Sequence, residues 1–148
     1  MITEKQQGRV KRIELHQILE NISQAKPAER VDLIRRYLEQ YASFSDYVRC
    51  LFDKRIQFLL PDSRPPFTPA EENSFPSSWN KQNVKLQYFV KGGKADKMQP
   101  MRRESIFIGV LESVHPKDAE LLVDMICKKN TTKGLTVKNV KEAMPNLL

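Results

Sequence analysis

Between residues 125 and 141 the sequence places Lys128, Lys129, Lys133, Lys138 and Lys141 and no acidic residue. Inside this run Gly134 precedes Thr136, a residue type that caps helices. A glycine turns the chain tightly, and the helix start after it carries N–H groups without internal partners. Ringed by lysines, such a start is an anion site, because the helix dipole and the ammonium charges act together on a phosphate. A second basic group, Arg49 with Lys54 and Arg55, stands at the end of an apolar stripe, and Arg102 and Arg103 stand at the start of another. The plainer reading of all three is a solvated lysine-rich surface.

No other chemistry has a set of residues behind it. Cys50 and Cys127 are the only cysteines; neither sits in a CxxC pair, so no zinc site is expected and the thiols fit a reduced cytoplasmic compartment. His16 and His115 have no partner implied by spacing, and His115 before Pro116 reads as a capping or surface group. Glu71 with Glu72 and Asp118 with Glu120 are too sparse for a hard cation. Lys91-Gly92-Gly93-Lys94 lacks the spacing of a nucleotide-binding phosphate loop. The expectation is a non-catalytic protein without a cofactor.

Net charge agrees with a polyanionic partner. The 148 residues carry +7, distributed as +1 over 1–20, +2 over 21–60, zero over 61–90 and +4 over 91–148. No apolar run approaches the length of a membrane span, and the polar start MITEKQQGRVKR has no signal-peptide core.

The elements that would position these residues read as helices. Leu15, Ile18, Leu19 and Ile22 form one stripe from Ile13 onward. Pro27 opens a second helix with Val31, Ile34, Leu38 and Tyr41 inside and Arg30, Arg35, Arg36 and Glu39 outside. Ser45 caps a third, with Val48, Leu51 and Phe52 as its stripe. Ile56 to Leu60 is a strand or an extended segment on the core, and five prolines between 61 and 76 make a surface loop, pinned by Phe67 and Phe75. One helix from Ser78 to Val90, stopped by Gly92-Gly93, is buried on more than one side. After a connector at Met98–Met101, Ile106, Phe107, Val110, Leu111 and Val114 mark another helix. Ala119, Leu122, Val123 and Ile126 mark the next, and Val137, Val140 and Met144 the last. The fold class is all-α: residues 12–148 form a single compact domain of about seven helices with a Pro-rich loop at 61–77, preceded by a flexible 1–11.

Four segments carry a resemblance: FDKRIQFLLP at 52–61, MRRESIFIGVLESV at 101–114, DAELLV at 118–123 and KGLTVKNVKEAMPNLL at 133–148. They resemble a small uncharacterised protein family of T-even-type tailed bacteriophages. That family is similar to the N-terminal helical DNA-binding domain of phage ATP-dependent DNA ligases in helix order and in the closing Gly134-to-Pro145 element. The resemblance implies a ligase-like DNA-binding domain in the host bacterial cytoplasm, accessory to phage DNA metabolism or transcription. No KxDG motif occurs, so ligation itself is not implied. The implied partner is double-stranded or nicked DNA, held by its backbone largely without sequence specificity. Lys128, Lys129, Lys133, Gly134, Thr136, Lys138, Lys54 and Arg55 are the expected contacts. The alternative is a protein-interaction module, an accessory subunit or an inhibitor of a host protein, steered by charge to an acidic partner.

Overall fold

A computed structural model describes residues 13–148, so the expectation for residues 1–11 falls outside the described range. Within it the chain is all-α. Helix α1 (Leu15–Gln24) buries the four residues of its stripe, Leu15, Ile18, Leu19 and Ile22. Its start is fixed by a capping box in which Glu14 N–H donates to Gln17 Oε1 at 2.8 Å. The chain breaks at Ala25-Lys26 and re-enters as α2 (Pro27–Gln40), with Pro27 in the first turn and Ile34 and Leu38 buried.

Two residues of the outer face of α2 reach from it to neighbouring helices. Arg30 donates from Nε to Ile22 O at 3.1 Å and from Nη2 to Ser23 O at 2.9 Å. Arg35 donates from Nε to Ala143 O at 3.0 Å. Their stems lie along neighbouring helices while the guanidinium groups reach the last carbonyls of those helices, which a periodicity count cannot register.

Helix α3 (Ala42–Phe52) begins three residues before the expected cap. Ser45 instead donates its hydroxyl to Leu38 O at 3.0 Å and ties the α2–α3 corner. The earlier start brings Phe44 and Tyr47 into the core beside Val48, Cys50 and Leu51.

The expected long helix at Ser78–Val90 is replaced by one short α-turn, α4 (Trp79–Gln82), continuing as a 3₁₀ helix (Asn83–Tyr88). The 3₁₀ winding rises about 2.0 Å per residue against about 1.5 Å for an α-helix, and so places Phe89 further from Trp79. Both rings are then buried. Trp79 Nε1 donates to Ser43 O at 2.8 Å, and Phe89 meets Phe107 edge-on at 5.3 Å. Val84, expected inside, is 64% exposed. Gly92 has a positive φ of +107°, but it follows an isolated antiparallel bridge between Phe58 and Val90 rather than a helix end. A second 3₁₀ turn (Lys94–Lys97) leads to α5 (Pro100–Ser113), which starts at Pro100 and so takes in Met101 from the expected connector. Helices α6 (Pro116–Ile126) and α7 (Val137–Ala143) complete seven α-helices among the described residues.

Helix α7 packs on α2, α5 on α6, and α3 on α2 and α6, around one continuous apolar core. No strand forms among the described residues, and none of their helices is long and apolar enough to cross a membrane.

Gly134 is where this packing is tightest. Its φ is +87°, and a Cβ built there would lie 2.6 Å from Arg30 Nε and 2.7 Å from Arg30 Cδ. Arg30 cannot retreat without giving up its two carbonyls at the end of α1. Gly134→Ala should therefore destabilise the protein by about 1–3 kcal/mol through strain at positive φ. Gly109→Ala, on α5 with nothing within 4 Å of the new Cβ, should be neutral or stabilise by up to about 1 kcal/mol through helix propensity. Thermal unfolding of the two variants should shift in opposite directions or leave only the Gly134 variant displaced.

Candidate nucleic-acid interface

The eight expected contact residues fall into two groups. The first is the joint where α3 and α6 end. Helix α6 closes with a Schellman pair: Lys128 N–H donates to Met125 O at 3.0 Å, and Lys129 N–H donates to Asp124 O at 2.8 Å. The left-handed position of that motif usually holds glycine; here it holds Lys128, at φ +57°. A non-glycine residue there costs about 1–2 kcal/mol.

The side chain supplies the compensation. Lys128 Nζ donates to Cys50 O and, at 3.2 Å, to Asp53 O, and lies 5.4 Å from the centre of the Phe58 ring. Its backbone thus finishes α6 while its ammonium finishes α3. Partial burial lowers the ammonium pKa, with Cys50 and Asp53 acting against that shift. The fold commits this ammonium to two carbonyls, so Lys128 clamps the joint from its partly exposed edge.

Asp53-Lys54-Arg55 forms a tight local knot beside it. Asp53 Oδ1 accepts from Arg55 N–H at 3.0 Å and Nε at 3.1 Å, and Oδ2 accepts from Arg55 Nη2 at 2.9 Å. These side-chain and backbone hydrogen bonds hold the Asp53 carboxyl at about 2. The same contact raises the Arg55 pKa. The Arg55 side chain stays 81% exposed, with one edge of its fork on Asp53 and the remaining donors in solvent. Lys54, Arg49 and Lys129 are exposed around it. Lys91 joins them, because Lys91 N–H donates to Gln57 O at 2.9 Å and Leu59 N–H to Phe89 O at 2.8 Å.

The second group surrounds Gly134 on the far side of the 129–133 turn. Ser23 Oγ donates to Lys133 O at 3.0 Å, Asn139 Nδ2 to Gly134 O at 2.8 Å and Asn130 Nδ2 to Leu135 O at 2.7 Å. Lys133 and Lys138 are exposed on this rigid corner. Thr136 is the cap of α7, but its Oγ1 accepts the Asn139 N–H at 3.0 Å. One of the N–H groups expected to be open to phosphate is therefore already used.

The structure also assembles a polar cluster that no local pattern announces. Fully buried Asp118 Oδ1 accepts the His16 backbone N–H at 2.8 Å and lies 2.7 Å from His16 Nδ1. A carboxylate from α6 thereby caps the first turn of α1, across 102 residues of sequence. The His16 and His115 rings stack with centroids 4.1 Å apart. His115 does cap α6, as its position before Pro116 suggested: its Nδ1 accepts from Lys117 N–H at 3.0 Å. An acid three residues after a cap, His115 to Asp118, was the one available signal, and it pointed to a local box rather than a distant helix. Among the described residues no group of three or more His, Cys, Asp or Glu is placed to hold a metal ion.

These features define an all-α domain whose basic groups gather at helix ends. The chain belongs to a family of unknown function, DUF6433, whose profile matches residues 18–132. The match takes in Lys54, Arg55, Lys128 and Lys129 and leaves Lys133, Gly134, Thr136 and Lys138 outside. Comparison with curated proteins and with solved structures finds no match.

Removing the Lys128 ammonium should cost stability rather than charge alone. Lys128→Met leaves the carbonyls of Cys50 and Asp53 without that donor, and a loss of about 1–3 kcal/mol is expected. Lys54→Ala, a surface truncation, should stay within about 0.5 kcal/mol of the parent. Equal melting temperatures for both variants would return Lys128 to the set of free surface cations.

Proposed function

We propose that this protein is a non-catalytic DNA-binding domain that grips the duplex by its phosphate backbone. Lys54, Arg55 and Lys129 form the centre of the contact, and Lys133 and Lys138 its flank. The observation that carries the reading is the α3–α6 joint. Exposed Lys54, Arg55 and Lys129 stand there with Arg49 and Lys91 around a turn that Lys128 makes rigid. Cations held on a stiff scaffold lose little conformational freedom when a phosphate arrives.

The form of DNA we propose is duplex rather than single strands. Among the described residues the exposed large hydrophobic ones are Val84, Met101 and Val137, and none of these is aromatic. Proteins that hold single strands without sequence preference stack bases on exposed aromatic rings. The resemblance to phage ligase DNA-binding domains adds nicked duplex as the preferred form and phage DNA metabolism or transcription as the setting. The alternative, a protein-interaction module, draws on an apolar groove of about 280 Å³ lined by Leu60, Phe107, Ile108 and Ile126 beneath the Pro-rich segment.

Fluorescence anisotropy against intact duplex, nicked duplex and single-stranded DNA at two salt concentrations tests the proposal. Each phosphate contact contributes about 0.9 to the slope of log affinity against log salt on duplex. The Lys54→Ala/Lys129→Ala double variant should lower that slope by about 2 on every duplex sequence tried. Absence of binding at low salt would sink the DNA reading and turn attention to the groove.

A further inference from the structure

The Pro-rich segment 61–77 contains no helix, yet it is strapped to one place, the corner between α5 and α6. Arg64 pairs with Glu120 and lies 4.4 Å above the Phe67 ring. Thr68 N–H donates to Glu112 Oε2 at 2.7 Å, and Ser77 N–H donates to Ser113 O at 2.8 Å. Phe75 meets His115 edge to face at 5.2 Å. One end of the strap thus rests on the ring that caps α6.

That ring has a protonation state fixed by its neighbours. A backbone N–H can only donate, so Nδ1 of His115 accepts from Lys117 and the proton of the neutral ring is on Nε2. A second proton must enter at Nδ1, and the cap is lost when it does. Beside the ring, Asp118 has one oxygen on His16, while its Oδ2 is buried and has no hydrogen-bond partner among the described residues. The charged and titratable groups facing His115 are His16 from α1, Lys117 and Asp118 from its own helix, and Glu72 from the strap.

We propose that His115 is an acid-triggered latch. Protonation at Nδ1 moves the ring from capping α6 to pairing with Asp118 Oδ2, and this frees the 72–77 end of the strap.

The direction of the pH dependence follows from the surroundings. Burial lowers the His115 pKa, and the His16 ring acts in the same direction. The unfolded chain therefore binds this proton more readily than the folded one. The stabilising contribution is complete above the ordinary histidine value and is lost as pH falls from there to the lowered folded value.

Amide spectra recorded from about pH 8 to about pH 5, the range in which histidine titrates, test the latch. The Lys117 amide and the amides of Glu72–Phe75 and Ser77 should move together, with one midpoint below that of an exposed histidine, and protection of Ser74, Phe75 and Ser77 should fall. His115→Asn keeps a good cap and has no proton to gain, so it should abolish the shared transition between about pH 8 and about pH 5, whatever fixed shift the loss of the ring gives its neighbours at neutral pH. His115→Ser serves the same purpose should asparagine disturb the fold. Persistence of the transition in either variant, or titration of His115 with the 72–77 amides unmoved, would overturn the proposal.

Discussion

The ends of the helices, more than their middles, organise this molecule. An α-helix leaves its last carbonyls without internal partners, and the usual remedy is a glycine that curls the chain back. With five glycines in 148 residues, this sequence takes another route. Arg30 from α2 closes α1 through Ile22 O and Ser23 O, Lys128 from the end of α6 closes α3, and Arg35 from α2 closes α7 through Ala143 O. Arg103, itself buried, reaches Ala95 O in the second 3₁₀ turn. The first three satisfy carbonyls with charged donors at the negative end of a helix dipole, where such a bond is worth about 1.5–3 kcal/mol. All four join two elements. Arg30, Arg35 and Lys128 therefore do the work of caps and of tertiary contacts.

The positive charge of the chain consequently has two meanings. Arg30, Arg35, Arg103 and Lys128 are committed to carbonyls, and Arg64 and Lys117 face Glu120 and Glu20. Among the cations left for a polyanion are those of the α3–α6 joint and of the Lys133–Lys138 corner, beside others such as Arg36, Lys97 and Arg102 that stand exposed elsewhere. The joint and the corner are arranged by the committed ones: Lys128 fixes the turn on which Lys129 stands, and Arg30 fixes Gly134 and with it the Lys133 side of the loop. A count of lysines therefore overstates the cations free to meet a partner.

Much of the fold was legible because apolar stripes have a period. Leu15, Ile18, Leu19 and Ile22 are buried as a set, Pro27 and Pro116 open helices, and the prolines of 61–76 do mark a helix-free stretch. Elsewhere long side chains or long distances decide. Arg30 and Arg35 look solvent-facing by position, yet their guanidinium groups travel several ångströms to another helix. Trp79 to Phe89 has enough apolar residues for a buried helix but winds as 3₁₀, because both large rings must reach the core and a regular helix would not bring them there. His16 and Asp118 are 102 residues apart, and no spacing rule connects them. At the candidate interface the residue types were readable, whereas the commitment of Lys128 to carbonyls needed the neighbouring helix to be seen.

The clasp between Arg35 and Ala143 spans 108 residues, and α7 packs mainly on α2. During synthesis the early helices emerge with their stripes unpartnered, and the core beside α2 stays open until residues 137–143 have left the ribosome. Local helices form in microseconds, but contacts this distant in sequence set the pace of folding. The nascent chain therefore passes through a stage with apolar faces exposed, and its yield in a cell rests on how quickly translation finishes and on the chaperones that attend that interval.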